Sequence, residues 1–305
     1  AIPLGLVVRV GSVGGQRLGL PLALVRADPA DPSPEAHNRA LVRRAVALLE
    51  SDDVPVFDRG FLISLLQQEQ CSVYVVRLLK NFTARRATLP PYKGKGRRPL
   101  RGAVVRPLPR IRQGRVYPAT PPDRVESWQE GEVTLRAEWW LDLVLPAALP
   151  DSPRFHVVAL YDPRYEEPLL LALPLAVSGA VARALYVDRW PVEQVPLAAK
   201  QMLGAHRQFV HAPETCQRLP ELTLLAGSVL TYLAATQPAV PTGFWDRQPK
   251  PTPGRLRRVL ARSRFPESFV VPARVRQKAS VTTHLPKGHF GQRRRTANRS
   301  TARAG

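Results

Sequence analysis

The sequence predicts a mixed α/β core that is interrupted by a basic, β-rich insertion and followed by a basic tail. Patterns typical of strands and helices alternate over residues 1–80 and return at Phe155. Between them, residues 80–122 contain no acidic side chain, and their many prolines and glycines argue against a helix. This order predicts four parts: a first part of the core at 1–80, the insertion at 81–153, a second part of the core at 154–240 and the tail at 241–305.

The first part of the core begins with two predicted strands. They cover residues 5–10 and 20–25 and flank a glycine-rich turn. Ser33 and Pro34 suit the cap and first turn of a helix, because apolar residues recur after them at helical spacing. A short apolar strand at 54–57 follows and ends at Asp58. The pattern then predicts a helix at 61–68 and a strand at 73–79.

The later elements follow from the same patterns. Candidate strands in the insertion cover residues 102–105 and 133–143, and Trp139 and Trp140 are expected to pack in the core or an interface rather than on a flipped base. The pattern after the insertion predicts two strands, at 155–160 and 169–173, and three helices, at 179–185, 192–203 and 219–235. The apolar run at 222–235 is too short to span a membrane, which predicts a buried helix and no membrane partner. The tail is arginine-rich and nearly without apolar residues at its end, so it is predicted to be partly disordered.

The net charge indicates the class of partner. The chain has 305 residues, of which 44% are hydrophobic, and it carries a formal net charge of +21. A chain this basic, with its charge clustered, needs a polyanion, and nucleic acid is the usual one. Cys71 and Cys216 form neither a metal pattern nor a disulfide framework, which is typical of a reducing compartment.

The most specific pattern in the chain is Tyr-x2-Arg-x3-Glu-x6-Lys, formed by Tyr186, Arg189, Glu193 and Lys200. On one continuous helix, the other three would lie within roughly 60° of Arg189, on one narrow face. A carboxylate among cations and a phenol suits a phosphodiester, because the carboxylate binds metal and the others hold phosphate oxygens. Pro196 is expected to kink such a helix. The alternative interpretation is an ordinary amphipathic helix with a solvated charged face.

A second carboxylate stands where a predicted strand ends. Asp58-Arg59-Gly60-Phe61 follows four mostly apolar residues, at the kind of position where α/β folds place their sites. Gly60 allows the chain to turn sharply. The alternative interpretation is a turn aspartate that caps the next helix.

Together these residues resemble the DDE transposases of bacterial insertion sequences, of the insertion-sequence-four type. The family's Tyr-Arg-Glu-Lys signature is met in full, and Asp58-Arg59-Gly60-Phe61 matches the sequence around the family's second aspartate. The strand at 73–79 and an insertion at 81–153 also match the family pattern. The resemblance covers roughly residues 5–236.

The resemblance implies a ribonuclease-H-like core and a DNA transposase that performs metal-dependent end cleavage and strand transfer. Asp58 and Glu193 would be catalytic and would bind Mg²⁺, with Mn²⁺ as the alternative ion. Tyr186, Arg189 and Lys200 would bind DNA phosphate. The implied partners are DNA, as terminal inverted repeats and target, and a second copy of the chain in the DNA complex. The implied location is the bacterial cytoplasm, in association with the nucleoid.

One residue that the resemblance implies is not in place. The family's first aspartate lies on the first strand of the core, yet the strands at 5–10 and 20–25 contain no carboxylate. Asp28 and Asp31, in a proline-rich loop, are poor candidates, so this aspartate and its strand are expected upstream of Ala1. Two alternative functions therefore remain open. One is a truncated, inactive transposase that acts only as a DNA-binding protein, and the other is a metal-dependent nuclease.

Overall fold

The structure, a computed structural model, describes residues 3–92, 94–205 and 212–263. The chain divides into two compact units, Ala1–Leu197 and Ala198–Gly305. The boundary falls inside the predicted second part of the core. The first unit contains, in chain order, β1 Leu4–Val13, β2 Gln16–Arg26, α1 Pro34–Val46, β3 Val56–Phe57, α2 Ile63–Gln68, β4 Val75–Arg77, β5 Ala84–Arg86, β6 Val104–Val105, β7 Arg110–Arg112, β8 Arg115–Tyr117, β9 Arg124–Glu130, β10 Val133–Val144, β11 Phe155–Tyr161, β12 Leu169–Leu173, α3 Gly179–Val187 and α4 Pro191–Leu197.

The first two strands form an antiparallel hairpin that pairs with no other described strand. Its turn residues, Gly14 and Gly15, both have positive φ (56° and 74°), which a two-residue type I′ turn requires and glycine adopts without strain. Ser33 then caps α1, and its hydroxyl accepts a hydrogen bond from the Ala36 amide (3.2 Å). The predicted hairpin and the predicted helix cap are confirmed.

Eight strands form one mixed sheet in the order β3-β4-β12-β11-β10-β5-β6, with β9 paired to β10. β3 and β4 are parallel, and the other pairs in this sheet are antiparallel. Four strands of the predicted insertion, β5, β6, β9 and β10, belong to this sheet, because β10 pairs directly with β11. The predicted mixed α/β class is confirmed, and most of its sheet is antiparallel.

The sheet separates two hydrophobic layers. Because neighbouring residues on a strand point to opposite faces, Trp139 and Trp140 enter different layers, and each is at most 1% exposed. Trp140 belongs to the layer that contains Val42 of α1 and Leu66 of α2, and Trp139 to the layer that contains Ala182 of α3. The prediction that both tryptophans pack in the core is confirmed.

In the described part of the second unit, every regular element is a helix, and residues 237–252 form an irregular connection. The unit contains a π-helical turn at Ala198–Met202, α5 Pro213–Thr236 and α6 Pro253–Arg262. α6 lies in the predicted tail, for which no helix was predicted, although Leu256, Val259 and Leu260 recur there at helical spacing. The predicted disorder near the end of the tail concerns residues 264–305, which lie outside the described ranges.

The prediction that residues 222–235 form a buried helix is wrong for one side of α5. Leu224, Gly227 and Leu230 are buried, whereas Leu222 and Leu225 are 58% and 57% exposed. The apolar residues surround the helix, but within the described part of the chain only one side of it is packed. By length and composition alone α5 is apolar enough to cross a membrane, and core helices of soluble proteins meet the same criterion.

Candidate active site

Asp58 directly follows β3, at the end of the parallel pair. Its Oδ1 accepts a hydrogen bond from the Arg59 amide (2.8 Å), and the Phe61 amide donates to its carbonyl oxygen (3.1 Å). Asp58 does not cap the next helix, since the N-cap of α2 is Leu62. Its side chain is 49% exposed, so the carboxylate is available to a ligand.

Tyr186, Arg189 and Glu193 lie on two helices and the turn between them. α3 ends at Val187, and α4 begins at Pro191. Proline disfavours helical backbone at the residue before it, whereas it suits the first turn of a new helix. The three residues therefore do not share one continuous helix, in agreement with the separate helices predicted at 179–185 and 192–203.

The turn nevertheless brings the three residues to Asp58. The Tyr186 hydroxyl donates a hydrogen bond to Asp58 Oδ1 (3.2 Å). Arg189 Nη2 lies 3.1 Å from Glu193 Oε1 and 3.9 Å from Asp58 Oδ2. One guanidinium nitrogen thus stands between two carboxylates that are far apart in the sequence.

Arg77 is a cation of this site that the sequence analysis missed. It ends β4, and its Nη1 lies 4.0 Å from Asp58 Oδ1. The parallel register pairs Phe57 with Val76, so the residues that follow each of them are neighbours at the same edge of the sheet. No motif marks Arg77, and only this strand pairing identifies it.

Asp188, inside the signature but not part of it, anchors the turn between α3 and α4. Arg17 on β2 donates to it through Nε (2.7 Å) and also through Nη2. Both side chains are about two-fifths exposed, so the pair contributes little to overall stability. Its two-point geometry fixes the turn that carries Arg189 against the β1–β2 hairpin.

The electrostatics of the site favour an ionised Asp58 and a neutral Tyr186. Burial opposes the charge of Asp58, but hydrogen bonds from the Arg59 amide and Tyr186 and the charges of Arg189 and Arg77 outweigh it, so the pKa of Asp58 lies below its usual value. Burial, together with the nearby Asp58 charge, raises the pKa of Tyr186. At neutral pH the site therefore combines a carboxylate with a phenolic hydrogen-bond donor.

Lys200, the fourth residue of the signature, belongs to the second unit. It is exposed on the π-helical turn at Ala198–Met202, which follows α4 in the chain. Pro196 lies inside α4, shortly before the helix type changes. The role of Lys200 in phosphate binding stays a prediction.

A slot of about 440 Å³ lies between β1 and β3, and Asp58 is one of its lining residues. The slot is lined by residues 6–10 of β1 and by residues 54–58, which include β3. Because consecutive residues of a strand point to opposite faces, a cavity lined by all of them lies along the edge of the strand. Among the described strands, β1 pairs only with β2 and β3 only with β4. The slot therefore lies between two open strand edges.

Helices cover the slot on both faces of the sheet. Leu41 and Ala45 of α1 line it from one layer, and Leu185 of α3 and Val192 of α4 line it from the other. Strand edges on two sides and apolar helix faces on the other two are the surroundings of an interior strand in an α/β sheet.

The two strands that border the slot run in opposite directions. Arg9, late in β1, pairs with Asp53 just before β3 (2.7 Å). Gly5, early in β1, packs against α1. Near that point of α1, the Asn38 side chain donates to the Gly60 carbonyl, just after β3 (3.1 Å). A strand in the slot that runs parallel to β3 would therefore end beside Asp58.

Asp28 and Asp31 lie away from this site. Asp28 accepts a hydrogen bond from the Ala30 amide (2.8 Å), and Asp31 accepts one from the Ser33 amide (3.2 Å). They line a separate, shallow groove beside α1, which does not include Asp58. Both carboxylates are occupied in shaping the turn before α1.

Neither a scan against protein-family models nor a search of curated proteins gives a match for this chain.

Proposed function

We propose that this chain is the catalytic part of a DNA transposase, which cleaves the ends of an insertion sequence and transfers them with the help of divalent metal. The observation that carries the proposal is the convergence of Asp58, Tyr186, Arg189 and Glu193 at the end of β3. Carboxylates are the ligands that Mg²⁺ prefers, and guanidinium and phenol groups donate to phosphate oxygens. The net charge of +21 is suited to DNA as the substrate.

Asp58 and Glu193 are the two carboxylates that would hold divalent metal. Their side chains are 49% and 45% exposed, and both already face one cationic nitrogen of Arg189. Mg²⁺ or Mn²⁺ held by these carboxylates would supply Lewis-acid activation of the phosphoryl group and of the attacking oxygen. Arg189 and Tyr186 bind phosphate oxygens beside the carboxylates in this proposal.

The finer fold that we propose is ribonuclease-H-like. The antiparallel β1–β2 hairpin, the parallel β3–β4 pair and the slot between them support it. An extended segment in the slot would hydrogen-bond to both open edges and join the hairpin to the main sheet. A carboxylate at the end of such a segment would become the third of the site, and this is where we place the family's first aspartate.

A second candidate function is DNA binding without cleavage by a transposase-derived protein. The carboxylate count favours it: within residues 3–92, 94–205 and 212–263, no group of three or more His, Cys, Asp or Glu side chains is placed to hold a metal ion. A nuclease that cleaves without strand transfer would use the same site, and only its reaction products would distinguish it.

The test compares two lengths of the chain on DNA that carries the element's own terminal repeat. We expect the 305-residue chain to cleave weakly or not at all with Mg²⁺. The same chain extended upstream in its reading frame, with an apolar strand that ends in aspartate, should cleave and join ends to target DNA. In the extended chain, Glu193→Ala and Asp58→Ala should reduce cleavage to background, whereas Glu166→Ala, at an exposed carboxylate in the turn before β12, should not.

Each other outcome identifies a different function. Cleavage without joining would identify a nuclease. DNA binding without cleavage at either length would identify the second candidate. Strong, Glu193-dependent cleavage by the 305-residue chain would contradict the third carboxylate in the slot and would direct attention to Asp28 and Asp31.

A further inference from the structure

The hairpin β7–β8 carries a cationic face that the proposed catalytic site does not use. Its strands, Arg110–Arg112 and Arg115–Tyr117, pair with each other and with no other described strand. Gln113 and Gly114 form the turn, with φ values of 51° and 74°, as a two-residue type I′ turn requires. This turn fixes the register of the strands, so each face presents a defined set of side chains.

The register gives the hairpin two different faces. Ile111 is opposite Val116, and these side chains are 75% and 64% exposed. The neighbouring pairs, Arg110 with Tyr117 and Arg112 with Arg115, point to the other side, because side chains alternate along a strand. One face is therefore apolar and the other is cationic.

Tyr117 is the centre of the cationic face. The guanidinium carbons of Arg106, Arg110 and Arg115 lie 5.5, 5.4 and 5.4 Å from the centroid of its ring. Attraction between each cation and the ring offsets part of the repulsion among the three like charges. Arg106 is itself positioned by Thr120, whose hydroxyl accepts a hydrogen bond from the Arg106 amide (2.9 Å).

The charge of these arginines has no local counter-charge, and two of them have a donor without a partner among the described residues. The Nε atoms of Arg106 and Arg110 are buried and have no hydrogen-bond partner in the described part of the chain. Residues 80–122 also contain no carboxylate that could neutralise the cluster locally. An anion with several acceptor oxygens would relieve the repulsion among these cations.

We infer that this cationic face binds the phosphate backbone of duplex DNA. The face is formed by Arg106, Arg110, Arg112, Arg115 and Tyr117. The choice of DNA as the polyanion rests on the proposed function. Arginine suits the task because its planar guanidinium binds phosphate oxygens in pairs. The tyrosine acts as a positioning residue that holds the three cations together.

The test measures binding of the 305-residue chain to a duplex of arbitrary sequence without metal, over a range of salt concentrations. Removing two phosphate contacts with Arg110→Gln and Arg115→Gln together should weaken binding on the order of tenfold or more at 0.1 M salt. It should also reduce the slope of log affinity against log salt by about 2. Arg44→Gln with Arg154→Gln, at two exposed arginines outside the acid-free segment, removes the same charge and should change binding far less.

Charge-neutral variants separate a built site from a merely basic surface. Tyr117→Leu should weaken DNA binding several-fold, because the cations lose the ring that holds them, whereas Tyr117→Phe keeps the ring face and should bind like the parent chain. Ile111→Thr with Val116→Thr, on the opposite face of the hairpin, should leave the affinity within about twofold and keep the salt slope.

Two results would overturn the inference. One is that the Arg110 and Arg115 double variant behaves like the Arg44 and Arg154 pair, and the other is that duplex RNA of the same length binds more tightly than DNA. The outcome is separable from the catalytic proposal. If Glu193-dependent cleavage is not observed, metal-free DNA binding through the hairpin can still be measured. If the hairpin variants bind DNA normally, the cleavage test can still be carried out.

Discussion

At the scale of single residues, Asp58 keeps its charge through donors that come from separate parts of the chain. Burial works against ionisation, but the Arg59 amide, the Arg189 guanidinium and the Tyr186 hydroxyl stabilise the carboxylate, and its pKa is lowered. A metal ligand must be deprotonated, so this environment keeps Asp58 competent to bind a cation at and below neutral pH.

Tyr186→Phe should raise the pKa of Asp58 toward its usual value, because the variant lacks the hydroxyl that donates to Oδ1. The ionised Asp58 stabilises the fold above the unfolded-state pKa of about 3.9, and this contribution is lost as pH falls through the lower folded-state pKa. The contribution should therefore be smaller in the variant. A pH titration followed by NMR of the Asp58 carboxyl carbon measures the shift. Tyr165→Phe, at a residue 70% exposed, is the control, and an unchanged pKa in Tyr186→Phe would contradict the role of the hydroxyl.

At the scale of elements, α3 is seated on the sheet at its first residue. The Gly179 amide donates to Glu126 on β9 (2.6 Å). A Cβ at Gly179 would overlap that of Ala137 on β10 and would lie 3.1 Å from the Trp128 ring. α3 carries Tyr186, so this close approach also fixes the distance between Tyr186 and the sheet.

Gly179→Ala should destabilise the protein, although helix propensity favours alanine by up to about 1 kcal/mol. The added methyl meets a packed strand, and overpacking of this kind costs about 1–3 kcal/mol. The free energy of unfolding from urea denaturation measures the effect. Ala184→Gly, at an exposed position of the same helix, should also destabilise, by about 1 kcal/mol through propensity alone. A Gly179→Ala variant more stable than the parent would show that propensity, not packing, dominates there.

At the scale of the whole molecule, the excess of positive charge should control DNA affinity. The net charge is +21, and residues 80–122 contribute no acidic side chain to offset their arginines and lysines. Binding that neutralises phosphates releases counterions, so affinity falls as salt concentration rises.

DNA binding by the chain should be tight and strongly dependent on salt. If about six phosphates are neutralised, affinity should fall on the order of a thousandfold between roughly 50 and 200 mM salt. Fluorescence anisotropy with a labelled duplex, repeated across this range, gives the dependence, and an uncharged crowding agent at matched concentration serves as the control. An affinity that hardly changes with salt would argue against phosphate contacts as the main source of binding.

The sequence alone determined those features that depend on neighbouring residues. The alternation in β1 and β2, the Ser33 cap and the end of β3 at Asp58 were all predictable, because strand, helix and cap patterns are local. The net charge, a property of composition, predicts a polyanionic partner, and this stays a prediction. α6 was not predicted, although its pattern is also local, because Leu256, Val259 and Leu260 recur at helical spacing within a basic, proline-rich stretch.

The tertiary structure alone decided which distant residues meet. The break before Pro191 lets the Arg189 guanidinium face both Asp58 and Glu193, and Arg77 joins them only because β4 lies parallel to β3. The slot between β1 and β3 and the gathering of arginines around Tyr117 likewise depend on strand pairing and register. The energy of strand pairing is spread over many weak contacts between residues that are distant in the sequence. A short stretch of sequence therefore does not predict which strand edges and faces come together.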